Sequence, residues 1–367
     1  MKLVTMKDYI YSTPEKVLAN VSRAKTLTEE IVNLYTRKQY KQITFVASGS
    51  SYTAIQCARG FLCEMLDTDI KIINPYTFAE YDYRYVKEDH FVVIVSQSGA
   101  STNCISALKK LHEINHEKIV LTANVNGDCS KYADYILDWG CGIETMGYVT
   151  LGVVTLIAYL QLFSVYAKKK ITSIDYIEYC ESQIIKAMEN HKILCKDTEL
   201  FIHNHYQNLM QMDRVYVLGC GSNYGTALEG ALKIGETVKV LAVGYEQDEF
   251  LHGPALQLSP HYTVFLIDNG DDTKDHALQT FTALLKAVPN TYIITPENIN
   301  HNNVLHIENS CDEPFTCLYY LAFFQLIAEV ISTDLNSKKS HPLYYEMNKI
   351  MDFRTPEFRK KHDASDD

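Results

Sequence analysis

Residues 215–254 read VYVLGCGSNYGTALEGALKIGETVKVLAVGYEQDEFLHGP. Val215 to Leu218 are four residues of a buried strand, and the chain turns at Gly219-Cys220-Gly221-Ser222. From Thr226 to Lys239 the apolar residues Ala227, Leu228, Ala231, Leu232 and Ile234 recur at helical spacing. The helix carries Glu229, Lys233 and Glu236. Residues three and four apart are neighbours on a helix, so these three share a face. Glu249 and His252 follow before Gly253-Pro254. A carboxylate, an amine and an imidazole within one βα unit are the parts of an acid–base site.

The same unit occurs once more upstream. ITFVASGSSYTAIQCARG, from Ile43, lines up with VYVLGCGSNYGTALEGAL, so that Gly49-Ser50-Ser51-Tyr52 falls on Gly221-Ser222-Asn223-Tyr224. VVIVSQSG, ending at Gly99, falls on VFLIDNG, ending at Gly270. In the first copy strands are expected at Ile43–Ala47, Ile70–Ile73, Phe91–Val95, Ile119–Thr122 and Tyr135–Leu137, with helices from Tyr52 to Leu66 and from Asn103 to about His112. Strands alternating with helices give a parallel sheet covered on both faces. The fold class is therefore α/β, with two tandem domains, each a doubly wound, flavodoxin-like parallel sheet flanked by helices. In the second copy a helix is expected at Phe281–Ala287, a strand at Thr291–Ile294 and a long apolar helix at Pro314–Ser332.

Thr13-Pro14-Glu15 has the form of a helix start, a capping hydroxyl followed by proline at the first helical position, and this helix should run to about Tyr35. Val149 to about Tyr206 is helical. Its most apolar part, Gly152–Tyr166, is short for a membrane span and leads into Lys168-Lys169-Lys170. The expected divisions are an N-terminal helical segment at 1–42, a first domain at 43–170, a helical connection at 171–212, a second domain at 213–332 and a tail at 333–367.

A net charge of −11 argues against a nucleic-acid or acidic-membrane surface. Ten scattered cysteines, with no CxxC pair and no metal-ligand spacing, are read as reduced thiols of a cytoplasmic protein without a metal. Met1 to Tyr11 holds no apolar run of signal-peptide length.

Gly49 and Ser51 stand at the end of the first strand; Ser96, Gln97, Ser98 and Ser101 stand at the end of the third. Ligands of open α/β sheets bind at such carboxyl ends. Hydroxyls, an amide and backbone N–H groups at a helix start can surround a phosphate there. The rival reading is that serine and glycine simply make turns. Gly219-x-Gly221-x-x-x-Gly225 imitates a dinucleotide fingerprint with Glu246 as its acid, but the first copy lacks the glycine set.

ALEGALK, then Glu236, then Glu249-x-x-His252-Gly253-Pro254 resembles the isomerase half of glucosamine-6-phosphate synthase and its relatives in the SIS (sugar isomerase) superfamily, which include sugar-phosphate deaminases and deglycases. Ser51 and SQSGAS (96–101) match that family's sugar-phosphate motif. The resemblance implies that Glu236 moves a proton between carbons 1 and 2 of an open-chain sugar, that Lys233 positions it, and that His252 aids ring opening from a neighbouring subunit. Gly235 departs from the synthases, which have a second lysine there. HPLYYEMNK resembles a deglycase-type ending, which makes Lys349 the lysine beside the sugar carbonyl, with Lys338 and Lys339 as rivals. No cysteine near Met1 could serve a glutaminase domain, so nitrogen from glutamine is not expected.

These readings imply an enzyme of two tandem SIS domains that acts on a 6-phosphorylated amino or amine-linked sugar without a cofactor, as a homodimer or larger homo-oligomer with a shared site. Ketosamine–aldimine isomerisation followed by imine hydrolysis is the expected reaction. A plain aldose–ketose isomerase and a non-catalytic sugar-phosphate sensor are the alternatives.

Overall fold

Gln42–Val46 (β1) is buried at four successive positions because both of its faces are covered. Ile43 and Phe45 enter one apolar core and Val46 another. Such a strand has no solvent side and shows no polar alternation. The structure, a computed structural model, describes residues 4–308, 310–338, 341–351 and 354–358.

Two helices, Met6–Val21 (α1) and Ala24–Thr36 (α2), precede β1. The first unit continues through Ser50–Leu66 (α3), Asp69–Ile73 (β2), Pro75–Glu80 (α4), His90–Val95 (β3), Thr102–Glu113 (α5), Ile119–Thr122 (β4) and Tyr135–Asp138 (β5). Leu151–Thr172 (α6) and Ile177–Met210 (α7) follow. The second unit comprises Arg214–Gly219 (β6), Ser222–Val238 (α8), Leu241–Glu246 (β7), Tyr262–Ile267 (β8), Lys274–Leu284 (α9), Asn290–Thr295 (β9), Val304–His306 (β10) and Glu313–Asp334 (α10), and Pro342–Ile350 (α11) lies in the tail.

Each sheet has five parallel strands, ordered β2-β1-β3-β4-β5 and β7-β6-β8-β9-β10. Both follow the flavodoxin-like order, whose switch point lies between the first and third strands. The repeat extends to backbone conformation. Gly49 (φ 55°, ψ −135°) precedes α3 and Gly221 (φ 57°, ψ −132°) precedes α8, a region that an L-residue enters only with strain. Asp67 and Lys239 end these two helices in the left-handed region.

The inner faces of both sheets contribute to one continuous core, to which Phe45, Phe91, Val217 and Phe265 all belong. The outer face of the first sheet packs on α4 and α5, and that of the second on α9. Between the sheets, α6 packs on α3 while α10 packs on α8 and α7. Helices enclosed on every side need no polar stripe, which is why α10 and the part of α6 before Lys168 are apolar nearly all round. The units also meet directly, α3 against α8.

Three expectations are corrected. The first helix begins at Met6, not at Thr13: Thr5 and Asp8 form a reciprocal capping box, and Pro14 lies buried inside the helix. An interior proline costs about 3 kcal/mol, and burial of Met6, Ile10 and Val17 in the core offsets it. The chain then breaks at Ser22-Arg23, so two helices replace the single one expected to reach Tyr35. The helix expected at Phe281–Ala287 instead spans Lys274–Leu284, and its last residues turn towards β9.

Candidate active site

Helical spacing turns Glu229, Lys233 and Glu236 to one side of α8, and the packing of α8 on α3 decides what they meet. Glu229 and Lys233 are fully buried, at 0% and 1% exposure, whereas the Glu236 side chain is 31% exposed. Lys233 Nζ lies 3.2 Å from Glu229 Oε1 and bonds Glu236 Oε1. It also donates to Ser50 Oγ at 3.2 Å. Ser50 donates to Glu229 Oε1 at 2.9 Å and Thr53 to Glu229 Oε2 at 2.5 Å. Burial alone would lower the Lys233 pKa, but Glu229 and Glu236 outweigh it and raise it, so the amine stays charged. Burial pushes Glu229 up, and Lys233, Thr53 and Ser50 pull it back. Glu236 is therefore anchored at one oxygen by a buried cation that is itself tied to the first turn of α3.

That first turn follows Gly49 at the end of β1, and the second serine turn follows β3, the adjacent strand. Ser51 and Ser96 are buried, Gln97, Ser98 and Ser101 half-buried, and Gly49 exposed. The two turns touch where Asn103 donates to Ser48 Oγ at 3.3 Å. Gln97 donates to Glu144, whose carboxylate also accepts the N–H groups of Thr150, Leu151 and Gly152 at 2.9–3.0 Å and so caps α6. Tyr148, in the same loop, lies beneath Lys239 Nζ (5.7 Å to the ring centroid) and donates to the Lys338 carbonyl at 2.7 Å. One short loop thus connects the serine turn to the end of α8.

The equivalent place in the second unit is filled by the protein itself. Glu313 Oε1 accepts the Ser222 N–H at 2.7 Å at the start of α8. In the first unit the Ser50 and Ser51 N–H groups at the start of α3 meet no acceptor among the described residues. A helix start with free N–H groups is suited to an anion. Among the described residues, a carboxylate takes that position in the second unit and not in the first.

His252 stands in a 3-10 turn, Glu249–His252, that follows β7. Its side chain is 72% exposed, with Nε2 3.8 Å from Asp248 Oδ2. Within one chain it therefore faces solvent and Asp248, not Glu236. Lys349 falls in α11, and its side chain lies outside the described residues, as does Lys339. Lys338 bonds the buried Glu329 at 2.5 Å and Thr333 at 2.8 Å, an anchored position for a reacting amine. Glu246, the acid of the imitated dinucleotide fingerprint, accepts the N–H groups of Asp248 and Glu249 at 2.9 and 2.8 Å. It caps the turn that carries His252. Ser50, Thr53 and Glu144 escaped the sequence reading. Ser50 stood in the quoted Gly49-Ser50-Ser51 turn, but nothing local marked the others.

The chain matches the SIS domain over residues 38–165 and 208–302. It is 28% identical over 267 residues to the isomerizing glutamine–fructose-6-phosphate aminotransferase of Thermococcus kodakarensis, an alignment that covers 71% of this chain and 43% of that enzyme. The chain thus spans under half the length of that relative. Among solved structures, a Clostridium difficile 630 protein assigned as a phosphosugar isomerase superposes with a TM-score of 0.84 at 25% identity, covering 93% of this chain and 96% of the other. The glucosamine-6-phosphate deaminase of Thermotoga maritima shares the fold, with a TM-score of 0.69 at 18% identity over 89% of this chain and 97% of its own.

Proposed function

The chain belongs to the SIS domain family, and from that premise we propose that it is an enzyme that removes nitrogen from a 6-phosphorylated amine-linked or amino sugar. One observation carries the reading. The partly exposed Glu236 is held by buried Lys233, and Lys233 is hydrogen-bonded to Ser50 at the open helix start beside the serine turns. A proton-moving group and an anion-suited loop thus share one rigid frame, as a reaction on the far end of a phosphorylated sugar requires.

For a ketosamine the chemistry runs as follows. Glu236 takes a proton from carbon 1 while the carbon-2 carbonyl oxygen gains one, leaving a 1,2-enaminol. It returns its proton to carbon 2 as the nitrogen proton is lost to replace the one taken up by that oxygen, which gives an aldimine. Water adds to the imine carbon, and the amine leaves with a proton, so that the other product is a hexose 6-phosphate. For a 2-amino sugar the proton moves from carbon 2 to carbon 1, and the ketimine hydrolyses to ammonia and a ketose 6-phosphate. The imine is itself the electron sink, so these steps call on no cofactor. Ser51, Ser96, Gln97, Ser98 and Ser101, with the Gly49 turn, hold the phosphate. Lys349 stands by the carbonyl carbon. His252 aids ring opening in a second copy of this chain, which would also cover Leu251 and Leu256, exposed at 44% and 91% around it.

The test is a product assay with fructoselysine 6-phosphate, glucoselysine 6-phosphate, glucosamine 6-phosphate and fructose 6-phosphate, each beside Glu236→Gln. Release of amine or ammonia with hexose phosphate is expected from at least one nitrogen-bearing substrate. Loss of the general base should slow it about 10²- to 10⁴-fold. Interconversion without nitrogen release would make the protein a plain isomerase, and tight binding without turnover would make it a sensor.

A further inference from the structure

We propose that Arg354, carried into the first domain by the C-terminal segment, is a ligand for the substrate's phosphate. The inference rests on reading the serine turn as the phosphate site, and it adds to that turn a cation from more than two hundred residues further along the chain.

The segment is docked, not draped. Arg354 pairs with Ser101 as an antiparallel bridge. The Thr355 N–H donates to the Ala100 carbonyl at 3.1 Å, and the Thr355 hydroxyl bonds Asp128. Lys131 joins Asp128 at 2.7 Å to Glu357 at 2.6 Å. Arg354 Nη1 then donates to Ser98 Oγ at 2.8 Å and to Ser101 Oγ at 2.9 Å. The Phe358 ring packs on the guanidinium, 5.4 Å from its centroid.

The charge balance points to an anion. Among the described residues no carboxylate meets the guanidinium. The nearby thiols of Cys104 and Cys129 are pushed up to about 12 by burial and are neutral at pH 7. Burial lowers the Arg354 pKa, yet an arginine stays charged in a protein. A half-buried cation without a counter-charge is costly, and a phosphate dianion would supply one. The hydrogen bonding agrees. Ser98 and Ser101 accept from Nη1, so each keeps its own O–H to turn outwards to a phosphoryl oxygen, and the guanidinium's planar fork matches phosphate geometry. The corresponding turn of the second unit, Asp268-Asn269-Gly270, carries its own carboxylate, and among the described residues no arginine bonds it.

The experiment is calorimetric titration of the full chain with glucitol 6-phosphate, an open-chain phosphate that cannot turn over. Wild type, Ser98→Ala, Arg354→Met and Arg354→Lys are compared, with thermal melts to show that each is folded. A charge-assisted contact is expected to make Arg354→Met bind ~10- to 100-fold more weakly, and Arg354→Lys should recover part of the loss. Unphosphorylated glucitol at millimolar concentration should bind wild type and Arg354→Met alike, which a merely structural role would not produce. Binding by Arg354→Met that is unchanged or tighter, with Ser98→Ala impaired, overturns the arginine's role and leaves the serine turn standing; tighter binding would make the guanidinium a plug. Failure of wild type to bind glucitol 6-phosphate overturns both.

Discussion

Lys233 is a cation with 1% of its side chain exposed, and it is tolerated because Glu229, Glu236 and Ser50 surround it. Removing one partner of such a group leaves the other buried and uncompensated, which costs far more than the pair contributes. Lys233→Met should therefore lower stability by about 3–5 kcal/mol, read as the urea midpoint, through the stranded Glu229 carboxylate. Adding Glu229→Gln to it should restore part of that loss; a double variant no more stable than the single one would mean that packing, not charge, is at stake. The spacing of Glu229, Lys233 and Glu236 made their adjacency legible in the sequence. Ser50 and Thr53 were not legible as their partners, because they lie 179 and 176 residues away and reach Glu229 only when α3 packs on α8.

That helix pair is the element on which the site depends. At Gly225 the backbones of α8 and α3 are in contact: a Cβ there would lie 2.5 Å from Cys57 N and 2.8 Å from Thr53 O. Backbone cannot swing aside as a long side chain can, so Gly225→Val should force the helices apart. Overpacking of this kind costs about 1–3 kcal/mol, and the Glu229–Thr53 and Lys233–Ser50 bonds should loosen with it. Gly60, on α3 itself, has open space around its Cβ position. Gly60→Ala should leave the site intact and stabilise the helix by about 0.4–1 kcal/mol. Thermal melts and turnover on both variants check the contrast, and equal behaviour would show that the α3–α8 contact is not tight. The glycine turns of both copies could be read from the repeated strings, since a chain that turns from strand to helix with positive φ selects glycine. The true start of α1 could not: Thr13-Pro14 is a good local signal that core burial overrides.

For the whole molecule, the proposal of a site shared between two copies rests on the exposure of His252 and of the neighbouring Leu251 and Leu256. If His252 serves the partner's sugar, Glu236→Gln and His252→Ala should each be inactive alone. Hybrid dimers would hold one intact site, so an equal co-expressed mixture should recover about a quarter of wild-type activity by random pairing of subunits. Hybrids demonstrated by native mass spectrometry but without activity would place both residues in one chain's site.

The sequence by itself determined two copies of a parallel α/β unit, the serine turns at the ends of the first and third strands, and the face of α8 that Glu229, Lys233 and Glu236 share. These are local matters of hydrophobic period, turn chemistry and helical spacing, repeated closely enough to be read twice. The tertiary structure alone decided that Glu229 is bound by hydroxyls of the other unit, that Glu313 caps the start of α8 while no carboxylate among the described residues caps the start of α3, and that Arg354 enters the serine turn. Each joins residues far apart in the chain, and such contacts are set by how helices and sheets pack, which no local pattern records.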